Sequence, residues 1–153
     1  MAPRKKAVSV SPSKMEYAGF WRRFAALLID GILLSVLFLP LIFILAFAGA
    51  VVAIVVWYFL FIIFSVWYEV YFIGKYGATY GKKWMDLKVV SEKGQLIGYK
   101  GAFIRWIGRL IVGFTFFIGY LLILFTERKQ GLHDKIAGTV VVNGKTEFDD
   151  KYY

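Results

Sequence analysis

The sequence predicts an all-α membrane protein: a helical hairpin, a short or re-entrant third membrane segment, and a small cytoplasmic β element. Three observations lead there. Hydrophobic residues make up 59% of the 153 residues, against roughly 45–50% in soluble domains, and so small a chain has too little interior to bury them all. Residues 24–73 are nearly continuous hydrocarbon, with Asp30 and Glu69 the only formal charges. The Lys and Arg residues behind the net charge of +9 fall in three blocks: six before Phe24, eight over residues 75–109 and five after Glu127. Basic flanks around an uncharged span fit a bilayer with anionic headgroups, where each Lys or Arg contributes about 1 kcal/mol. They do not point to nucleic acid.

Residues 1–16 hold two of the three prolines and no apolar period, and are expected to form a basic disordered tail. The apolar run that follows would be about 75 Å long as one helix at ~1.5 Å per residue, more than twice a ~30 Å bilayer core, so it must cross twice. The small residues at 46–50 mark the break, giving helices near 24–46 and 50–73. Pro40 is tolerated within a membrane helix. Ala46-Phe47-Ala48 looks like a signal-peptidase site, but the stretch before it exceeds the ~7–15 apolar residues of a signal peptide and carries Asp30, so a retained hairpin is expected.

Residues 75–100 are polar and basic. Leu87-Lys88-Val89-Val90 has strand character, residues 91–94 a turn, and residues 95–97 the makings of a return strand. Thr139-Val140-Val141-Val142 is a further strand, with a polar tail over 144–153. Residues 102–112 place Arg105 and Arg109 four apart on one helical face, the pattern of a helix lying in the interface. Residues 113–125 are apolar but span only ~20 Å, too short to cross alone. Either the two parts join into one tilted third span with buried arginines, or they form a bent, re-entrant hairpin; basic residues on both sides favour the cytoplasm and with it incomplete crossing and a cytoplasmic C-terminus beside the cytoplasmic N-terminus.

A carboxylate inside an apolar helix costs on the order of 2.5–3.5 kcal/mol unless it finds a partner or a wet cavity. Arg23 lies two turns before Asp30 on roughly the same face, about 10 Å away. A third group is expected between them, drawn from Arg22, Glu69, Arg105, Arg109 or the Asp134 segment. Glu69 sits at a depth close to that of Asp30. Such a cluster is either a structural clasp or a cation or proton site. His133-Asp134 lacks a marked nucleophile, so no catalytic residue is assigned. The stretch from Gly77 to Lys82 is one residue short of a phosphate loop and has Lys83 where Ser or Thr is required. With no cysteine and one histidine, no thiolate or multi-histidine metal site can form, and no cofactor is expected. Phe20, Trp21, Trp67, Tyr68, Tyr71, Trp84 and Trp106 are assigned to the inner membrane interface.

Three stretches now align: Gly19-Phe20-Trp21-Arg22-Arg23 running on to Asp30, Gly77-Ala78-Thr79-Tyr80-Gly81-Lys82 running on to Val90, and Gly131-Leu132-His133-Asp134 running on to Val142. Together they resemble the RDD family of small, mostly bacterial membrane proteins, over roughly residues 17–143. By position the family arginine falls on Arg23, its aspartates on Asp30 and Asp134, and its threonine–glycine–lysine element on Thr79, Gly81 and Lys82. Asp86 stands where the family usually has glycine. The resemblance implies a multi-pass protein of the bacterial cytoplasmic membrane. Its expected role is a structural or accessory subunit that meets other membrane subunits or copies of itself. The rival expectation is an oligomeric cation or proton transporter, since sodium–proton antiport has been proposed for some members.

Overall fold

The computed structural model describes residues 15–114 and 118–144; the tails expected at the ends fall mostly outside them. Helices α1 (Phe20–Phe47) and α2 (Val51–Tyr76) form the hairpin. Both are long and apolar enough to cross a membrane. The break falls at the small residues, where Gly49 takes φ +68°, a conformation glycine enters without steric cost. Most of the apolar surface on the two helices is exposed, Phe47 at 99% and Val36 at 71% among it. Midway, the Trp57 indole donates to the Phe38 carbonyl at 3.1 Å, and the Phe38 ring packs on Trp57, Phe61 and Phe64. Pro40 lies inside α1.

All other elements gather at the open end of the hairpin. They are α3 (Tyr80–Trp84), β1 (Leu87–Ser91), α4 (Gly98–Phe114), α5 (Ile118–Phe125), α6 (Leu132–Ile136) and β2 (Thr139–Asn143). β1 and β2 pair antiparallel with Val89 opposite Val141. Their alternating side chains serve both faces, as a strand's period of two requires. Leu87, Val89 and Val141 join Ala18, Ala26, Ile73 and Ala102 in a core beneath the hairpin. Val90, Val140 and Val142 pack on Met15 and Tyr17.

The return strand expected at 95–97 does not form. Ser91 closes a tight loop instead: its N–H donates to the Gln95 carbonyl at 2.8 Å and its hydroxyl accepts the Gln95 N–H at 3.1 Å. The outer edge of β2 goes to the segment entering α1. Tyr17 bridges Val142, the Ala18 N–H donates to Val141 and the Asn143 N–H to Glu16. Glu16 is therefore part of the folded body and not of a tail. Asp86, at the family's glycine position, has φ +51°, a left-handed conformation that Asp tolerates better than most residues. Its N–H donates to Lys83 and its carbonyl accepts from Gly144, closing the turn before β1.

α4 lies against α2, and α4 and α5 are bent by 101° to one another. Close approach to α2 depends on Gly74, where an added Cβ would fall 2.9 Å from the Tyr99 Cα. Gly74→Ala should therefore lower stability by about 1–3 kcal/mol through overpacking, read as a drop in thermal midpoint in detergent. Gly31→Ala, in α1 with nothing within 4 Å of its Cβ position, should leave the midpoint unchanged or raise it.

Candidate functional site

Two separate clasps bind the loop elements to the hairpin. The first centres on Asp134, fully buried at the start of α6. Its Oδ2 accepts from Arg23 at 2.6 Å and from the Gly131 N–H at 3.1 Å. Its Oδ1 accepts from Arg105. Arg23 also donates from Nε to the Ala18 carbonyl at 3.1 Å, and Arg105 donates to the Thr139 hydroxyl at 2.8 Å. One carboxylate thus joins α1, α4, α6 and β2. Burial alone would push the Asp134 carboxyl up, but Arg105 and Arg23 outweigh it and hold the group well below the usual carboxylate range. Neighbouring His133 places Nε2 3.4 Å from Oδ1. Burial, with Arg105 adding to it, pushes the imidazole down to about 2, so it is neutral.

The second clasp centres on Asp30. Oδ1 accepts from the Tyr68 hydroxyl and from the Gly81 N–H, both at 2.8 Å. Oδ2 accepts from the Thr79 hydroxyl at 2.5 Å. Asp30 thereby satisfies one of the free N–H groups that open every helix, here in α3, from across the hairpin. A Cβ at Gly81 would strike the Ala26 carbonyl and the Asp30 carboxyl, so only glycine lets α3 dock against α1. This is the physical content of the Thr79–Gly81 spacing.

Arg23 and Asp30 therefore share no bridging group; each has its own partners. Glu69 pairs with Arg109 and does not join Asp30. Arg22 turns to the sheet edge and donates to Asn143 Oδ1 at 2.7 Å and the Met85 carbonyl at 2.6 Å. Of the two settings open to Arg105 and Arg109, the headgroup interface or a buried polar cluster, the structure shows the second: Arg105 is 3% exposed, because its face of α4 packs toward Asp134. Lys82 is buried too and donates to the Thr79 hydroxyl at 3.3 Å. Burial, opposed by Asp30, pushes its ammonium down to about 8. Between the clasps lies a cavity of about 370 Å³.

Tyr68, Thr139 and Gln130 escaped the sequence reading. Composition places Tyr68 with the interface aromatics, yet it is buried and holds Asp30; its depth, one residue before Glu69, is the available signal. Gln130 donates to the Thr139 carbonyl at 2.8 Å and to Glu92 at 3.0 Å, and no local pattern marks it. Among the described residues, no three His, Asp or Glu side chains converge as a metal site.

The model of the RDD family matches residues 17–138. The chain is 36% identical over 146 residues to the uncharacterised protein YxaI of Bacillus subtilis, covering 82% of this chain and 96% of that one. It is 32% identical over 145 residues to the uncharacterised membrane protein YteJ of the same organism, covering 84% of this chain and 82% of the relative. A shorter match, 38% identical over 80 residues, joins 52% of this chain to 33% of a proline-rich antigen homolog of Mycobacterium tuberculosis. No solved structure matches the chain.

Thr79→Val removes the donor to Asp30 Oδ2 and should lower stability by about 1–3 kcal/mol, while Thr79→Ser should restore it; thermal unfolding in detergent reads both. Asp134→Asn, which strips the charge from between two buried arginines, should cost about 3–5 kcal/mol. A histidine held at about 2 in the fold and near 6.5 when unfolded leaves the unfolded state binding more protons between those values, so stability falls as pH drops below about 6.5. His133→Gln should flatten the decline between pH ~6.5 and ~5, above the carboxylate range; a parallel decline in both proteins would refute the assignment.

Proposed function

This chain belongs to the RDD family, and from that premise we propose that it is a non-catalytic structural or accessory subunit of a larger assembly in the bacterial cytoplasmic membrane. The observation that carries this reading is how the two aspartates are used. Asp30 accepts three hydrogen bonds from Tyr68, Thr79 and Gly81. Asp134 accepts from Arg23, Arg105 and Gly131. Three of the roughly four lone-pair sites on each carboxylate are taken, which leaves too few oxygen ligands for a hard cation, since such ions need several at once. The exposed apolar flanks of α1 and α2 suit acyl chains and the helices of neighbouring subunits or further copies.

The same reading places both termini in the cytoplasm and makes α4 and α5 a re-entrant segment. Its support is the sheet. Tyr17 precedes α1, β1 follows α2, and β2 follows α5, and all three are hydrogen-bonded together. A hairpin returns the chain to its starting side, so β2 reaches β1 only if the intervening segment comes back as well. The basic blocks flanking the hairpin select the cytoplasm as that side.

Asp30→Asn and Arg23→Gln should each lower the amount of protein in the membrane. Normal abundance with loss of a sodium- or pH-dependent flux in reconstituted vesicles would replace the accessory reading with the transporter one. Native mass spectrometry of gently extracted protein should find stoichiometric unrelated subunits; a homo-oligomer alone would count against the accessory role.

A further inference from the structure

We propose that the cavity between the clasps binds the phosphate-bearing headgroup of an anionic membrane lipid, with an acyl chain leaving along α1. The cavity wall carries four cationic side chains, Arg23, Lys82, Arg105 and Arg109, while Asp30, Glu69 and Asp134 lie behind them and do not line it. Four cations against three carboxylates leave one positive charge over: Arg109 has Glu69, Lys82 has Asp30 through the Thr79 hydroxyl, and Arg23 and Arg105 share Asp134 alone. Lys82 itself makes no direct ion pair among the described residues and donates one long bond to Thr79. A buried surplus charge needs a counter-charge, and the open space between these side chains is where it fits.

Nε of Arg105 and Nε of Arg109 are buried with no hydrogen-bond partner, so turning either guanidinium toward the cavity gives up no bond at Nε. Arginine forks match the geometry of phosphate oxygens, and such charge-assisted bonds are about twice as strong as neutral ones. The remaining wall is apolar, formed by Phe20, Phe24, Leu27, Ile123 and Val141. Phe24 and Leu27 are 42% and 47% exposed, so the apolar side continues onto the outer surface of α1. A small soluble anion would use the cationic wall and leave this one bare; a lipid uses both. The inference stands independently of any partner subunit.

The test uses the full chain, stripped of lipid in dodecyl maltoside. Its thermal midpoint is measured against dioleoylphosphatidylglycerol, dioleoylphosphatidylcholine and glycerol 3-phosphate. Phosphatidylglycerol should raise the midpoint saturably, with little effect from phosphatidylcholine and none from glycerol 3-phosphate at equal concentration. Lys82→Gln, which removes a buried charge and so should fold, should weaken half-saturation about tenfold, roughly 1.4 kcal/mol of binding. Leu27→Trp, which narrows the apolar exit and touches no ion pair, should also weaken it. Equal stabilisation by the two phospholipids, or an unchanged response in Lys82→Gln, would overturn the proposal. A full response to glycerol 3-phosphate would overturn the lipid in favour of a soluble phosphate ester.

Discussion

The carboxylate of Asp134 is the point on which the loop end of this molecule turns. It is fully buried and stands between two arginines from different helices. Remove its charge and Arg23 and Arg105 are left facing each other in a low-dielectric interior. Buried ion pairs are not by themselves strong sources of stability, since desolvation offsets much of the attraction. What this one supplies is position: α4, α6 and β2 have one arrangement in which both arginines reach the same two oxygens. The Arg23 bond to the Ala18 carbonyl and the Arg105 bond to Thr139 extend that register into the sheet.

The Asp30 clasp solves a similar problem with different chemistry. Its donors are a phenol, a hydroxyl and a backbone N–H, none of them charged. The counter-charge stands one bond further out, in the Lys82 ammonium that donates to the Thr79 hydroxyl. The donors must then be held close, and Gly81 makes that possible by leaving no side chain between α3 and α1. The two aspartates are therefore not interchangeable: one gathers four elements by charge, the other docks a five-residue helix by hydrogen bonding.

The hairpin, its break at Gly49 and the two valine strands were legible from residue patterns, because hydrophobic length and strand alternation are local properties. Asp30 and Asp134 were legible as residues needing partners. Which partner each takes was not. Arg23 is near Asp30 in sequence, but its guanidinium goes to Asp134, 111 positions away; Asp30 is met by residues that arrive only after α2 has returned. The amphipathic spacing of Arg105 and Arg109 read correctly as one face of a helix, but the face is turned to the polar interior, since α4 packs on α2 and α6. Residues 95–97 have strand composition and still do not form a strand: on the outer edge of β1 the Val89 N–H goes to the Gly77 carbonyl and the Ser91 N–H to the Gln95 carbonyl of the tight loop, and the outer edge of β2 is taken by Glu16 and Tyr17.

The sheet is stitched from three distant stretches, one before the hairpin, one after it and one near residue 143, and this separates the two clasps in time as well as space. Every donor to Asp30 has been synthesised once residue 81 is made, so that clasp can close while the ribosome is still at work. Arg23 enters the bilayer surface early and has no carboxylate until residue 134 emerges. During that interval the hairpin is a finished object with an unfinished loop end, its arginine and strand edges open to whatever insertion machinery or anionic headgroup is at hand. Closure by the segment that carries Asp134 then supplies the missing carboxylate and the second strand together.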